Sequence, residues 1–198
     1  PRWKRLAYRI YRNPAVILGI GPIYVFALKY RLPLDLIRRH PRLLVSVMCT
    51  NLGIAGVLAG LGLGFGFIDL LIVQAPIVLL SCTAGVWLFY VQHQFEHTYW
   101  HNESRWDFHE ASVMASSFYD LPQPLRWFSG DIGIHHIHHL SCRIPNYRLR
   151  ACLAKIPALQ TLNRISLRES LSCLCLALWD ESAQRLISFK SLRLAQSS

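Results

Sequence analysis

The sequence predicts an all-α integral membrane protein: a helical hairpin in the bilayer with a histidine-rich helical cap on the cytoplasmic side. Three observations predict it. Of the 198 residues, 53% are hydrophobic and 16% charged, against about 25% charged in soluble domains. Ten lysines and arginines lie in positions 1–42 and eleven from Arg105 onward, with none between Leu43 and Ser104, so the cation-free stretch coincides with the apolar one. Four of the nine histidines, His135, His136, His138 and His139, fall within five residues. The net charge of +10 thus reads as a membrane-topology signal. No basic stripe with interleaved base-stacking aromatics accompanies it, which argues against nucleic acid as a partner.

Residues 1–42 read as an interfacial or re-entrant basic segment. Positions 1–13 mix arginine and lysine with Trp3, Tyr8 and Tyr11, placing rings at headgroup level and cations toward anionic lipid. Pro14 to Leu28 is apolar but only fifteen residues long, short of the roughly twenty that span a bilayer. Pro33 to Arg42 reads as a basic loop. The transmembrane hairpin is expected over 43–91, as spans Leu43 to Phe67 and Leu70 to Val91. Gly56, Gly60 and Gly64 recur at every fourth position of the first span, a spacing that lets another helix approach closely. Basic residues flank both outer ends, which assigns that side to the cytoplasm. Residues 92–147 hold the histidines, and 148–198 read as an amphipathic helical cytoplasmic cap, because arginine and lysine alternate there with leucine and isoleucine. The six cysteines form no CxxC pair and read as small buried thiols in a reducing compartment. No secretory signal peptide is visible.

The histidines carry the chemistry. Neutral imidazole is a ligand for iron, zinc, copper and nickel, and on a helix His135, His138 and His139 stand at i, i+3 and i+4 on one face. His93 and His97 repeat the i, i+4 spacing upstream. His40 and His109 stand alone and read as ordinary polar side chains. A hydrolytic zinc site would show His-Glu-x-x-His, whereas here Gln94 follows the first histidine and Glu96 sits beside the second. A single iron that handles oxygen often takes two histidines and a carboxylate. Five or more histidines point instead to two irons sharing neutral donors, which leave positive charge on the metals and favour an oxidant able to attack an unactivated C–H bond.

Trp87 to Trp100 (WLFYVQHQFEHTYW) and Gly130 to Tyr147 (GDIGIHHIHHLSCRIPNY) closely resemble the bacterial membrane acyl-lipid fatty acid desaturases, in particular the omega-6 (delta-12) type. The resemblance extends through most of the chain, including Arg12-Asn-Pro14 and the stretch ending Leu-Trp-Asp-Glu181. It implies a multi-pass membrane enzyme, of a bacterial inner membrane, with its histidine boxes on the cytoplasmic side. Such an enzyme holds two non-haem irons and removes two hydrogens from a lipid acyl chain in unsaturated fatty acid biosynthesis. It consumes O2 and takes electrons from ferredoxin or a similar carrier. By the same resemblance His93 and His97 are second-box ligands, and His135, His138 and His139 are third-box ligands. His136 is expected outside the ligand set, His101 is a weaker candidate ligand, and Asp131 is placed to accept a ligand's second ring N–H. The family's first box, of His-Asp-x-Gly-His type, has no counterpart here, so the chain looks like the carboxy-terminal part of a desaturase. A related di-iron hydroxylase and a truncated, non-catalytic remnant are the alternatives.

Overall fold

The computed structural model describes residues 1–32 and 40–197; the expected basic loop lies outside the described residues as far as Arg39. Two compact units, 1–87 and 88–198, divide the chain within one long helix.

The first unit opens with α1 (Arg2–Tyr11), ten residues without one buried side chain. An apolar helical segment follows, made of two π-helical stretches (Val16–Ile20 and Tyr24–Lys29) around α2 (Gly21–Ile23). Two long helices come next, α3 (Pro41–Phe65) and α4 (Phe67–His93). At about 1.5 Å per residue, their 25 and 27 residues exceed the roughly 30 Å hydrocarbon core of a bilayer. Both are long and apolar enough to cross one. Gly66 joins them at φ +95°, a conformation that glycine adopts without a Cβ penalty. A Cβ at Gly56, Gly60 or Gly64 would meet nothing within 4 Å, so among the described residues no helix packs on that face, whereas a Cβ at Gly62 would overlap the Phe67 ring. Gly62 and Gly66 are thus the glycines that shape the turn between α3 and α4. Pro22, Ile23 and Phe26, with Leu58 of α3 and Leu71 and Val78 of α4, line an apolar groove of about 1160 Å³.

The second unit begins with the last turn and a half of α4 and continues with α5 (Phe108–Met114), β1 (Phe118–Asp120), α6 (Gln123–Phe128), α7 (His135–Leu140), α8 (Asn146–Lys155) and α9 (Pro157–Thr161). β2 (Arg164–Ser166), α10 (Leu167–Cys173), β3 (Leu176–Asp180), β4 (Arg185–Ser188) and α11 (Phe189–Ser197) complete it. Strands correct the all-α expectation, and they correct it most in residues 148–198. β1 pairs parallel with β2, Tyr119 opposite Ile165, and β3 pairs antiparallel with β4, Trp179 opposite Leu186. Side-chain chemistry at their ends explains why the helical pattern breaks there. Ser166 and Glu169 form a reciprocal capping box that starts α10 immediately after β2. The Asp180 carboxylate accepts from the Ser182 and Ala183 N–H groups and turns β3 back into β4. The protein is mostly helical all the same. Its second unit centres on Ile134, Ile137 and Leu149, packed by Phe118, Ile144 and Leu159. Each such aliphatic burial contributes about 1.5–3 kcal/mol, and together they fix α7 against β1 and α8.

Candidate metal centre

α4 ends on His93, and its last carbonyls are satisfied from outside the helix. The Ser117 N–H donates to the Gln92 carbonyl at 3.0 Å, and the Ser117 hydroxyl donates to that of Val91 at 3.4 Å. Gln92 is buried, and its side-chain N–H donates to the Ile132 carbonyl at 3.0 Å, tying the end of α4 to the loop that leads into α7. The loop itself is built by close approach. Gly130 (φ +62°) and Asp131 (φ +55°) turn it, the Tyr119 N–H donates to the Gly133 carbonyl at 2.7 Å, and a Cβ on Gly133 would overlap the Tyr119 carbonyl. α7 then starts directly on His135.

Three imidazoles converge. The Nε2 atoms of His93 and His139 lie 3.0 Å apart, as do those of His139 and His135, and ligand atoms of all three fall within 4.8 Å of one another. The tautomer of His93 follows from its other nitrogen. Nδ1 sits 2.9 Å from the Phe89 carbonyl, which can only accept, so Nδ1 carries the proton and Nε2 offers a lone pair to the cluster. Burial pushes the pKa of His135 down to about 3, helped by the neighbouring rings of His93, His139 and His138. His139 is lowered by burial first and then by His93 and His138. Both rings are therefore neutral at pH 7, the form that binds metals. An ion about 2.1 Å from each of two imidazole nitrogens holds them roughly 3.0 Å apart when the two bonds stand at a right angle, so the His93–His139 and His139–His135 pairs each have the spacing of two ligands on one ion.

The remaining site candidates divide. His138 stacks on His135, ring centroids 5.4 Å apart, beside the trio. His97 does not share a helical face with His93, because α4 stops there. Glu96 receives the Leu186 N–H on its carbonyl at 2.8 Å and pairs with Arg185 through its carboxylate, so the strand β4 pulls the chain out of helical path. His97 is exposed in the resulting turn and, among the described residues, has no hydrogen bond or ring contact with the cluster. His101 packs edge-on against Tyr99, away from the trio. His136 is fully buried and donates from Nε2 to the Leu159 carbonyl at 3.0 Å; burial lowers its pKa, against the opposing effect of that hydrogen bond. Asp131 faces Arg126, with Oδ1 3.1 Å from Nε, and so is engaged there rather than on a histidine. Gln92, Ser117 and Gly133 escaped the sequence reading, although Gln92 beside His93 and the glycine two residues before the histidine cluster were visible signals.

The chain matches the fatty acid desaturase family over residues 1–169. It is 43% identical over 192 residues to a fatty acid desaturase of Bacillus subtilis (strain 168). That alignment covers 97% of this chain and 54% of the relative, so the chain spans about half the length of the curated relative it matches.

Proposed function

The chain belongs to the fatty acid desaturase family, and on that premise we propose that it forms part of a membrane di-iron centre that introduces a double bond into a lipid acyl chain, using O2 and electrons from ferredoxin or a similar carrier. The observation that supports this best is the convergence of the His93, His135 and His139 nitrogens at the end of a helix long and apolar enough to span a membrane. The proposed ligands are His93, His97, His135, His138 and His139; of these, His138 and His97 stand outside the trio, and metal binding would have to turn them. Iron bound there would activate the O2 that takes up the acyl chain's two hydrogens, the carrier's electrons completing its reduction to water. The protein's own contribution is legible in its contacts. Phe89 fixes the His93 tautomer, burial keeps His135 neutral, Gln92 and Ser117 hold the end of α4, and Gly133 lets α7 sit close to β1. The omega-6 (delta-12) position, a bacterial inner-membrane location and a cytoplasmic histidine face belong to the same proposal, supported by the sequence likeness and by basic residues outside both spans.

Two measurements test it. A full-length desaturase containing this chain, loaded anaerobically with ferrous iron, should bind two irons, and His135→Ala should weaken binding by about 100-fold through loss of a chelating ligand. Lipids from cells expressing that full-length protein should gain a double bond, with none formed by His138→Ala. A single iron per chain with no new double bond would support the non-catalytic reading, and an inserted oxygen would support a hydroxylase.

A further inference from the structure

The most exposed helix of the first unit has a division of faces that the metal centre does not use. At 100° per residue, Trp3, Leu6, Ala7 and Ile10 of α1 fall on one side, and Arg2, Arg5, Arg9 and the C-capping Arg12 on the other. Trp3, Leu6 and Ile10 are 66%, 61% and 55% exposed, so nothing described covers the apolar side. The helix also has a built orientation. Arg12 N–H closes it onto the Tyr8 carbonyl at 2.9 Å, the Asn13 side-chain oxygen accepts from the Ala15 N–H at 2.9 Å, and the Asn13 carbonyl accepts from Val16 and Ile17. Asn13 thereby caps the next segment, and the chain bends by 59° between Arg2–Tyr11 and Val16–Lys29. That next segment is apolar and is anchored to α4, through the Thr83 hydroxyl on the Leu18 carbonyl at 3.0 Å and Phe26 packed 3.8 Å from the Cβ position of Gly85. α4 is itself a candidate span.

We propose that α1 is an anionic-lipid-binding helix, which lies along the membrane surface with Trp3, Leu6 and Ile10 in the acyl boundary and Arg2, Arg5 and Arg9 on phospholipid headgroups. Charge complementarity names the occupant. Residues 1–32 carry seven lysines and arginines and no acidic residue, and each cation near an anionic surface strengthens binding about fivefold. A nucleic acid would neutralise the arginines and leave the opposite apolar face in water; a lipid surface satisfies both faces at once. A ten-residue helix is also marginal in water by itself, so α1 depends on that surface for its order and reports the charge of the leaflet it meets.

Hydrogen exchange on the full chain tests this. In nanodiscs of phosphatidylcholine with 30% phosphatidylglycerol, amides of residues 5–12 should exchange at least tenfold more slowly than in phosphatidylcholine alone. Arg5→Gln/Arg9→Gln should erase that difference, glutamine being nearly as good a helix former as arginine, while α7 amides stay unchanged and certify the fold. Equal exchange in the two lipids would overturn the proposal, as would protection that survives the double substitution. Protection in both lipids that grows with protein density would mean that a second copy covers α1, and would overturn it too.

Discussion

The two units of this chain put the same side chains in opposite places. In the first, Leu63 is 81% exposed and Ile68 74%; in the second, Ile137 and Leu149 are 1% exposed, although all four are ordinary aliphatics. The second unit buries them against its own chain, as a water-facing domain must. The first presents them outward along helices of 25 and 27 residues, which is favourable only where the solvent is itself apolar. The difference teaches that exposure has no fixed meaning for a leucine until its solvent is known. The candidate metal cluster of His93, His135 and His139 lies in the second unit, where a packed wall desolvates its histidines.

The sharpest way to break this contrast is a matched truncation. Ile137→Ala should destabilise the second unit by about 2–5 kcal/mol, read as a lowered midpoint in thermal unfolding of the detergent-solubilised protein. Leu63→Ala, a comparable deletion, should change it by less than about 0.5 kcal/mol, since lipid or detergent replaces the lost contacts. Equal losses would mean that Leu63 is covered by protein. Gly133 and Gly62 sharpen the contrast at smaller amplitude. Gly133→Ala drives a methyl into the Tyr119 backbone and should cost about 1–3 kcal/mol. Gly62→Ala meets only the Phe67 ring, which can swing aside, and should cost less than Gly133→Ala in the same assay. A further check of the second unit is its response to pH. Burial holds the pKa of His136 below 6.5, as it does those of His93, His135 and His139, so the unfolded state binds the extra protons first. Stability of the metal-free protein should be complete above pH 6.5 and decline as pH falls below it. Unfolding midpoints at pH 7.5 and 5.5 check this, and a midpoint that rises on acidification would show that these buried histidines are not held neutral.

The histidine cluster shows how far the sequence alone can be read. Its i, i+4 spacing placed His135 and His139 together because both belong to one helix, where backbone geometry decides the neighbours. The same spacing failed for His93 and His97. There the outcome depended on Glu96 being claimed by Leu186 and Arg185, some ninety positions away in sequence, and no local pattern contains that information. Strands β1 to β4 depart from the helical expectation for a related reason, β1 pairing with β2 more than forty positions away. Their residues alternate like a helix face over short windows, while the Ser166–Glu169 box and the Asp180 turn that delimit them were overlooked local signals. Asp131, expected to accept a ligand's ring N–H, lies with Oδ1 3.1 Å from the Nε of Arg126, five residues before it.

Composition and periodicity by themselves determined that this chain carries two helices fit for a bilayer, where those helices begin and end to within a few residues, and which histidines repeat at helical spacing. These properties are set by hydration and by backbone geometry within a few turns. Tertiary structure alone decided that His93 meets His139 and His135, that His97 turns away, and that Gly133 is where α7 closes on the Tyr119 backbone. Those outcomes rest on which distant backbone groups satisfy one another's hydrogen bonds, a requirement that becomes specific only when the whole unit is packed.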